Sequence, residues 1–470
     1  MPQLHSTEQS LKATGASVAS VAAWLCVWQF ASWCMGQPII LPGPIEVLRA
    51  CVALVPSAAF WTTVCSSALR IMGGLLASYV LALPAAVLAY HFPVVRTLLN
   101  PPLQVIKATP IACLVVLLLL WLGSANVSFA AVLLMALPNL YFTSFEGLAH
   151  QDSHMVELFD AHAVHGARRA LALTWQQLLP YVCAASANVV GMAWKAGVAA
   201  ELIGVPLESI GERVYQSKLL LETADVLAWT LTIIVLSMLC EHMVLFLLRA
   251  SGPAAVSLAL RLREPAEVRD EVRGEAQGES RLTAGVELRD VPVPFPTLEQ
   301  NINLTVTPGE RVCLTSPSGS GKTTTLRLVA GLLKPASGEV CAPPRCSMMF
   351  QESCLIEHAS ALQNVLLFAP RNVEANEVEA LLADLIPDID ANAPVNELSG
   401  GQRRRVELVR TMLIPGDVVL LDEPFTGLDA AAHDCAIAFV LEHLRGRTLI
   451  VATHDPRDLA LQSSFDSSVR

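Results

Sequence analysis

Long apolar runs occupy the first half of this chain, whereas the second half alternates short apolar stretches with charged and glycine-containing segments. A helix needs about 20 mainly apolar residues to cross about 30 Å of hydrocarbon. Six runs reach that length, and they lie at 15–34, 66–90, 102–122, 127–147, 180–202 and 225–248. The pattern predicts a membrane all-α domain with six transmembrane helices over residues 1–250.

The first apolar run follows a single early Lys12, and no pair of small residues at its end suits a signal-peptide cleavage site. We interpret this run as an uncleaved first span, with a cleaved signal peptide as the alternative. Arginines concentrate in the loops after the second, fourth and sixth runs. This bias predicts that both ends of the chain face the cytoplasm.

Three cations lie within the predicted spans or near their ends: Arg70, Lys107 and Lys195. Charge inside a membrane is costly, so such residues are functional candidates. Together they could line a path for an anionic substrate. The alternative is that they snorkel to the lipid headgroups or pair with Glu146 or Glu201.

The composition agrees with a membrane protein, because 53% of the residues are hydrophobic and 16% are charged, against about 25% charged residues in soluble chains. The formal net charge of −11 argues against nucleic acid as the main partner. Cys341, Cys346 and Cys354 cluster in the second half, but no His or fourth Cys completes a zinc spacing. We expect plain buried thiols in a reducing compartment.

A glycine-rich loop follows the short apolar strand 311–315, and residues 324–328 then open a helix. In this context backbone N–H groups cradle the phosphates of a nucleotide. The residues expected to bind it are Ser318, Gly319, Gly321, Lys322, Thr323 and Thr324. Lys322 would reach the β and γ phosphates, and the Thr323 hydroxyl would hold Mg²⁺. Ser316 stands where the motif has its first glycine, so it either forms the turn with some strain or lowers affinity; we expect binding to be retained.

Two further apolar strands end in residues that suit ATP hydrolysis. The strand 418–422 ends at Asp422, which would hold Mg²⁺. The adjacent Glu423 would act as general base on the attacking water. The strand 449–453 precedes His454, which would contact the γ-phosphate and that water.

The stretch Leu398-Ser399-Gly400-Gly401-Gln402 completes a set of motifs over 295–454 that resembles the ATPase domain of ABC proteins. The resemblance implies that Ser399, Gly400, Gly401 and Gln402 bind the ATP held by a second copy, so two ATPase domains must pair. It also implies that Gln351 takes part in catalysis and in Mg²⁺ binding, and that Asp429 contacts the nucleotide. Phe295 is similar to the aromatic residue that stacks on adenine in this family, with a core phenylalanine as the alternative.

Residues 160–169, between the fourth and fifth runs, resemble the coupling loop of binding-protein-dependent ABC importers. Asp160 stands where that loop has a Glu, His162 where it has an Ala, and Gly166 follows at the expected spacing; one extra residue precedes Leu179. The resemblance implies a short helix docked in a groove of the ATPase domain. An interfacial amphipathic helix without a partner is the alternative.

Residues 36–250 are similar to permeases for nitrate, sulfonates, taurine and pyrimidine vitamin precursors, chiefly in 40–47 and 194–201. The expected organisation is an all-α permease domain over 1–250, a linker over 251–282 and an α/β P-loop NTPase domain of the ABC type over 283–470.

The resemblance implies Mg²⁺- and ATP-dependent import of a small solute across a bacterial cytoplasmic (inner) membrane, with the ATPase domain in the cytoplasm. It implies as partners a second copy or a related permease–ATPase half, and an extracytoplasmic solute-binding protein. A half-size ABC exporter is an alternative that the short loops disfavour. A non-transporting ABC machine that transmits force is another, and it would be expected to carry a sizeable extracytoplasmic domain.

Overall fold

The computed structural model describes residues 2–37, 39–263, 285–292, 301–317 and 319–462. The chain forms two compact units. The helical unit comprises Met1–Ala149 and Pro180–Leu248, and the sheet unit comprises His150–Leu179 and Arg249–Arg470. The segment that connects the fourth and fifth predicted spans is therefore part of the sheet unit.

Helices account for nearly all of the helical unit. They are α1 (Pro2–Met35), α2 (Pro44–Leu54), α3 (Ala58–His91), α4 (Pro93–Ala108), α5 (Ile111–Leu122), α6 (Ser124–Ala149), α9 (Trp175–Gly204), α10 (Ile210–Leu219) and α11 (Thr223–Arg261). Side chains of Ser57 and Ser209 cap α3 and α10 by accepting backbone N–H groups from Phe60 and Glu212.

Four helices in the described part of the chain are long and apolar enough to span a membrane: Ala58–His91, Ser124–Ala149, Gly166–Gly204 and Thr223–Arg261. They contain the predicted runs 66–90, 127–147, 180–202 and 225–248. The run 15–34 falls in α1, whose described apolar part, Ala19–Met35, is shorter than a span.

The run 102–122 is not one straight helix, so its prediction as a single continuous span is wrong. It divides into α4 and α5, which are bent by 107° at a short break. Pro110 causes the break, because proline lacks an N–H and disfavours helical geometry at the residue before it. Thr109 accordingly takes an extended conformation, with ψ 130°.

A buried polar network lies inside the helical unit around Glu201, which is 0% exposed. Its carboxylate accepts hydrogen bonds from the Ser67 hydroxyl at 2.8 Å and the Gly211 N–H at 3.3 Å. Arg70 Nη1 lies 3.7 Å from Glu201 Oε1. The pairing alternative therefore holds for Arg70. Lys107 lies over the ring of Phe142 instead, at 5.5 Å.

The sheet unit contains two sheets. The antiparallel sheet has the order β2-β1-β4, and the parallel sheet has the order β3-β7-β6-β5. The strands are β1 (Val286–Pro292), β2 (Asn301–Val306), β3 (Arg311–Leu314), β4 (Glu339–Cys341), β5 (Cys346–Met349), β6 (Val418–Asp422) and β7 (Thr448–Ala452). The helices are α7 (Ser153–Ala161), α8 (Gly166–Arg169), α12 (Lys322–Val329), α13 (Ala361–Leu366), α14 (Ala375–Leu385), α15 (Gly400–Leu413) and α16 (Ala430–His443). Every residue of β5, β6 and β7 is buried, and for β6 and β7 the apolar runs 418–422 and 449–453 predicted this.

The short helix α7 shares a hydrophobic core with the parallel sheet. Leu158 and Phe159 are both 0% exposed and belong to the same core cluster as Met348 of β5. Phe159 also packs edge-on against Phe368, with ring centroids 5.0 Å apart. Gly166 then turns the chain with a φ of +63°, a conformation that glycine adopts readily.

His162 follows α7 and contacts the edge strand β5. Its Nε2 accepts the Met348 N–H at 3.4 Å, and its Nδ1 faces the Leu158 carbonyl oxygen at 2.7 Å. Because Nε2 acts as the acceptor, the proton lies on Nδ1, which donates to Leu158. The imidazole thus gives a hydrogen-bond partner to a strand N–H.

The predicted linker 251–282 begins inside α11, which continues to Arg261. Val256 and Ala259 are 1% and 0% exposed and pack in the core that also holds α7. The last part of α11 is therefore anchored in the sheet unit. Residues 264–282 lie outside the described residues.

All twelve cysteines are free thiols, and Cys341, Cys346 and Cys354 form no metal-binding cluster in the described part of the chain. Burial raises the pKa of Cys313 to about 11 and that of Cys354 to about 12. Cys435 is exposed. Only a thiolate reacts rapidly with an electrophile.

We therefore expect a maleimide to modify Cys435 much faster than Cys313 or Cys354 at about pH 8, where both buried groups remain thiols. Mass spectrometry of the folded full-length chain measures the rates, and the same chain unfolded in denaturant, in which all three should react, is the control. Equal rates for Cys354 and Cys435 in the folded protein would contradict this burial.

Candidate functional site

The carboxyl ends of the four parallel strands meet at one edge of the sheet, and each end carries a predicted site residue. The glycine-rich loop follows β3, Gln351 follows β5, Asp422 ends β6, and His454 follows β7. Ligands bind at this edge of open α/β sheets. The arrangement brings residues that are far apart in sequence around one cleft.

The loop between β3 and α12 takes its shape from two glycines with positive φ, +83° at Gly319 and +94° at Gly321. Gly321 is also the N-cap of α12, so the first N–H groups of that helix face the loop and favour an anion. The Lys322 ammonium donates to the carbonyl oxygen of Ser316 and lies 3.1 Å from His454 Nε2. Burial lowers the pKa of Lys322, and the nearby Glu423 and Asp422 oppose that shift.

Ser316 does not have a positive φ, unlike Gly319 and Gly321. Its backbone conformation is open to any residue with a side chain. Of the two alternatives for Ser316, strain in the turn is therefore not supported by the backbone of this residue.

Asp422 is 2% exposed, and its Oδ2 atom has no hydrogen-bond partner within the described residues. Burial raises the pKa of Asp422, while the hydrogen bond from Thr323 lowers it. Hard cations such as Mg²⁺ prefer oxygen ligands. The unpartnered carboxylate oxygen, the Thr323 hydroxyl and the Gln351 amide oxygen on the same cleft form a donor set that fits Mg²⁺.

Glu423 directly follows β6 with a φ of +48°. Its Oε1 lies 3.4 Å from His454 Nε2. Burial raises the pKa of this carboxyl, and the nearby His454 and Lys322 lower it. A carboxylate facing both a histidine and the phosphate-binding lysine is placed to activate a water at the γ-phosphate position.

The cleft has a volume of about 350 Å³. Predicted site residues supply most of its lining: Gly319, Gly321, Lys322, Thr323, Thr324, Gln351, Asp422, Glu423 and His454. Arg327 also lines it and was not predicted. The signal was present, because residues four apart on a helix share a face, and Arg327 follows Thr323 by four.

The other predicted nucleotide contacts lie away from this cleft lining. Ser399 caps α15 through a reciprocal pair of hydrogen bonds with Gln402, which leaves the helix N-terminus well ordered. A Cβ added at Gly400 would have no heavy atom within 4 Å, so there is open space beside the start of α15. Asp429 caps α16 by accepting the Ala432 N–H at 2.8 Å. These exposed helix ends are not among the described residues that line this chain's own cleft.

Two predicted nucleotide contacts, Ser318 and Phe295, lie outside the described residues. Sequence reasoning also missed Arg404 and Glu407, whose buried side chains pair at 3.2 Å beside the end of β6. Their spacing of three on a helix was the available signal. Nothing in the pattern indicated that this pair is buried.

The conformations of the loop predict different effects at two positions. Gly319→Ala should weaken nucleotide binding by about 5- to 30-fold, because a Cβ in a left-handed conformation costs about 1–2 kcal/mol. Ser316→Gly should leave affinity nearly unchanged, since Ser316 has no positive φ. Titration of the full-length chain with a fluorescent ATP analogue measures both. A large gain in affinity for Ser316→Gly would show that the serine is strained.

Comparison with known proteins adds to this geometry. A family model described as "ABC transporter" matches residues 299–426. A second, described as "Binding-protein-dependent transport system inner membrane component", matches residues 74–255. The two matches fall on the two parts of the chain that its apolar pattern separates.

Curated relatives match about a third of this chain. The thiamine import ATP-binding protein ThiQ of Escherichia coli is 35% identical over 194 residues, which cover 37% of this chain and 83% of ThiQ. The aliphatic sulfonates import ATP-binding protein SsuB 1 of Rhodococcus jostii is 40% identical over 176 residues, covering 36% and 71%. The glucose import ATP-binding protein GlcV of Saccharolobus solfataricus is 34% identical, covering 34% of this chain and only 52% of GlcV.

The expected fold class is confirmed, since a permease model and an ABC ATPase model match successive parts of one chain. The sheet edge carries the residues that the sequence predicts for ATP binding and hydrolysis, and the apolar helices suit a membrane protein. The chain thus belongs to the ABC transporter family, as a fusion of an importer-type permease with its ABC ATPase.

Proposed function

We propose that this chain is one half of an importer that moves a small solute across the cytoplasmic membrane when its ATPase domain hydrolyses Mg²⁺-ATP. The observation that carries the proposal is the burial of α7 in the core of the sheet unit. A segment that leaves the permease between two apolar helices is there packed against the strands that carry the catalytic residues. Movement of those strands on hydrolysis therefore acts directly on permease-derived chain.

In this proposal the residues of the cleft have different roles in hydrolysis. Lys322 and the N–H groups of the glycine-rich loop bind the phosphates. Thr323, Gln351 and Asp422 would hold Mg²⁺, which neutralises charge on the phosphates. Glu423 orients and deprotonates the attacking water, and His454 contacts the γ-phosphate and holds the Glu423 carboxylate at 3.4 Å.

A charged contact extends from the permease-derived segment to the nucleotide cleft. Glu157 of α7 pairs with Arg327 at 3.1 Å, and Arg327 lines the cleft. Asp160, the acidic residue on which the coupling-loop resemblance rests, pairs instead with Arg169 of the same segment. We assign the link between nucleotide and permease to Glu157.

The proposal requires a second copy of the chain or a related half. The glycines at the start of α15 lie away from the cleft lining of their own chain, and a helix N-terminus rich in glycine offers free N–H groups to a phosphate. Two ATPase domains arranged head to tail would bring each α15 to the other's ATP. An extracytoplasmic binding protein would deliver the solute, as for the permeases whose family model matches.

The solute is proposed to be a small organic molecule of the kind carried by nitrate, sulfonate, taurine or pyrimidine-precursor permeases. The relatives are named for thiamine, sulfonates and glucose, which differ in charge. Arg70 is paired with Glu201 and therefore offers little net charge to an anion. A path built on three free cations is accordingly not part of the proposal.

Uptake in membrane vesicles tests the direction of transport. Vesicles carrying the chain, supplied with ATP on the ATPase side and with candidate binding proteins, should accumulate a labelled sulfonate, nitrate or pyrimidine precursor.

Glu423→Gln should bind ATP but lose turnover and uptake together, and Glu442→Gln, which changes an exposed acid of α16, is the matched control. Efflux in place of uptake would overturn the proposed direction, and unchanged turnover in Glu423→Gln would overturn the catalytic assignment.

The link through Glu157 can be measured as the amount of solute moved per ATP hydrolysed. Glu157→Gln should lower this ratio by about 2- to 30-fold, the usual range for residues that couple two sites. Asp160→Asn is the control, because its partner Arg169 lies in the same segment. An equal fall in both variants, or none in Glu157→Gln, would contradict the assignment.

A further inference from the structure

Arg404 lies on α15, five residues after the Ser399 cap, and its side chain points into the protein rather than to solvent. It is 6% exposed, and its ion-pair partner Glu407 is 1% exposed. A guanidinium and a carboxylate are costly to bury unless their hydrogen bonds are satisfied. The positions of those hydrogen bonds therefore show what the pair holds in place.

The Arg404 guanidinium donates to three consecutive carbonyl oxygens at the end of β6. Nη2 donates to Asp422 at 2.6 Å and to Glu423 at 2.7 Å, and Nε donates to Pro424 at 3.2 Å. The rigid planar fork of a guanidinium fixes the directions of its acceptors. The three peptide planes around Glu423 are thus set by one side chain.

The backbone at Glu423 needs such support. Glu423 has a φ of +48°, which a residue with a side chain rarely adopts. The following residue is Pro424, which further restricts the conformation before it. Conformations of this kind persist only when their surroundings hold them. Since the direction of the Glu423 side chain follows from this backbone, Arg404 controls where the carboxylate lies relative to His454.

The same ion pair also holds the segment that carries Gln351. Arg404 Nη1 donates to the carbonyl oxygen of Phe350 at 2.6 Å. Glu407 accepts hydrogen bonds from the Ser353 hydroxyl at 2.9 Å and from the Cys354 N–H. Two residues of one helix thus bind both sides of Gln351 and the turn at Glu423, while the N-terminus of that helix carries Ser399 and the two glycines.

We propose that Arg404, held by Glu407, is a positioning residue for hydrolysis: it fixes the Glu423 carboxylate and the Gln351 segment relative to α15. A shift of α15 when its N-terminus meets a second copy's phosphate is then transmitted to the base of its own cleft. This inference rests on the proposed role of Glu423 as general base. Sequence position alone does not reveal it, because Arg404 stands between two further arginines.

Removing the charges of both Arg404 and Glu407 distinguishes an effect on the position of Glu423 from an effect on the stability of the fold. Replacing a whole buried ion pair by apolar residues of similar volume is often neutral for stability, whereas removing one partner is destabilising. The double variant Arg404→Met with Glu407→Met should therefore keep a Tm close to that of the parent chain. If Arg404 positions Glu423, the kcat for ATP should still fall about 10- to 100-fold, with KM nearly unchanged.

The experiment measures kcat, KM and Tm on the full-length chain in lipid nanodiscs. Arg404→Lys keeps the charge but loses the planar fork, so it should fold and show a kcat between those of the parent and the double variant. Arg410→Met is the matched control: Arg410 is a buried arginine of the same helix that donates to Cys354 and lies over Phe368. Its loss should lower Tm without a selective loss of kcat.

A double variant with parental Tm and parental kcat would overturn the proposal, since the pair would then be only structural. If the double variant fails to fold, a parental kcat in Arg404→Lys would overturn it equally. Glu423→Gln, measured in parallel, tests the base itself. Full turnover in Glu423→Gln would refute the role of Glu423 as general base. If Glu423→Gln is inactive but the double variant is fully active, only the role of Arg404 is refuted.

Discussion

The packing of α7 into the core beside β5 is the contact on which the working of this chain depends. Phe159 and Leu158 are withdrawn from solvent among the strands of the parallel sheet, and burial of large apolar side chains contributes about 1.5–3 kcal/mol each. Most of the attachment is therefore non-directional apolar contact. The polar contacts of His162 with Met348 and of Glu157 with Arg327 fix the position of α7 along the sheet, because each joins two specific groups.

In the proposed function, different residues attach α7 to the sheet and couple it to the nucleotide cleft. The apolar residues of α7 attach this permease-derived segment to the sheet. Glu157 pairs with Arg327, which lines the cleft. On the other side of the same strands, Arg404 and Glu407 join the cleft to α15. The end of β6 thus lies between two polar links, one toward the permease and one toward the surface expected to meet a second copy.

The pattern of the sequence was sufficient for the residues at the strand ends. Buried parallel strands are short apolar runs, and the polar residue that ends each run must lie at the carboxyl edge of the sheet. Asp422, His454 and Gln351 were therefore placed by pattern and motif together, and the structure brings them to one cleft. The bend between α4 and α5 was visible in Pro110 but not its angle, which depends on packing.

The remaining features depend on three-dimensional contacts that periodicity does not encode. Glu157 and Asp160 lie three residues apart on α7, and only the docking of that helix decides which of them reaches Arg327. Arg404 is one of three successive arginines, and burial alone distinguishes it.

The hydrogen bond between His162 and β5 has a further consequence, which concerns the order of synthesis. An uncovered edge strand invites pairing with other chains, and N-terminal parts of a protein fold first. α7 and His162 precede β5 in the same polypeptide. The residues that contact this edge are therefore synthesised before the strand itself, so the edge of β5 need not be exposed to other chains while the protein folds.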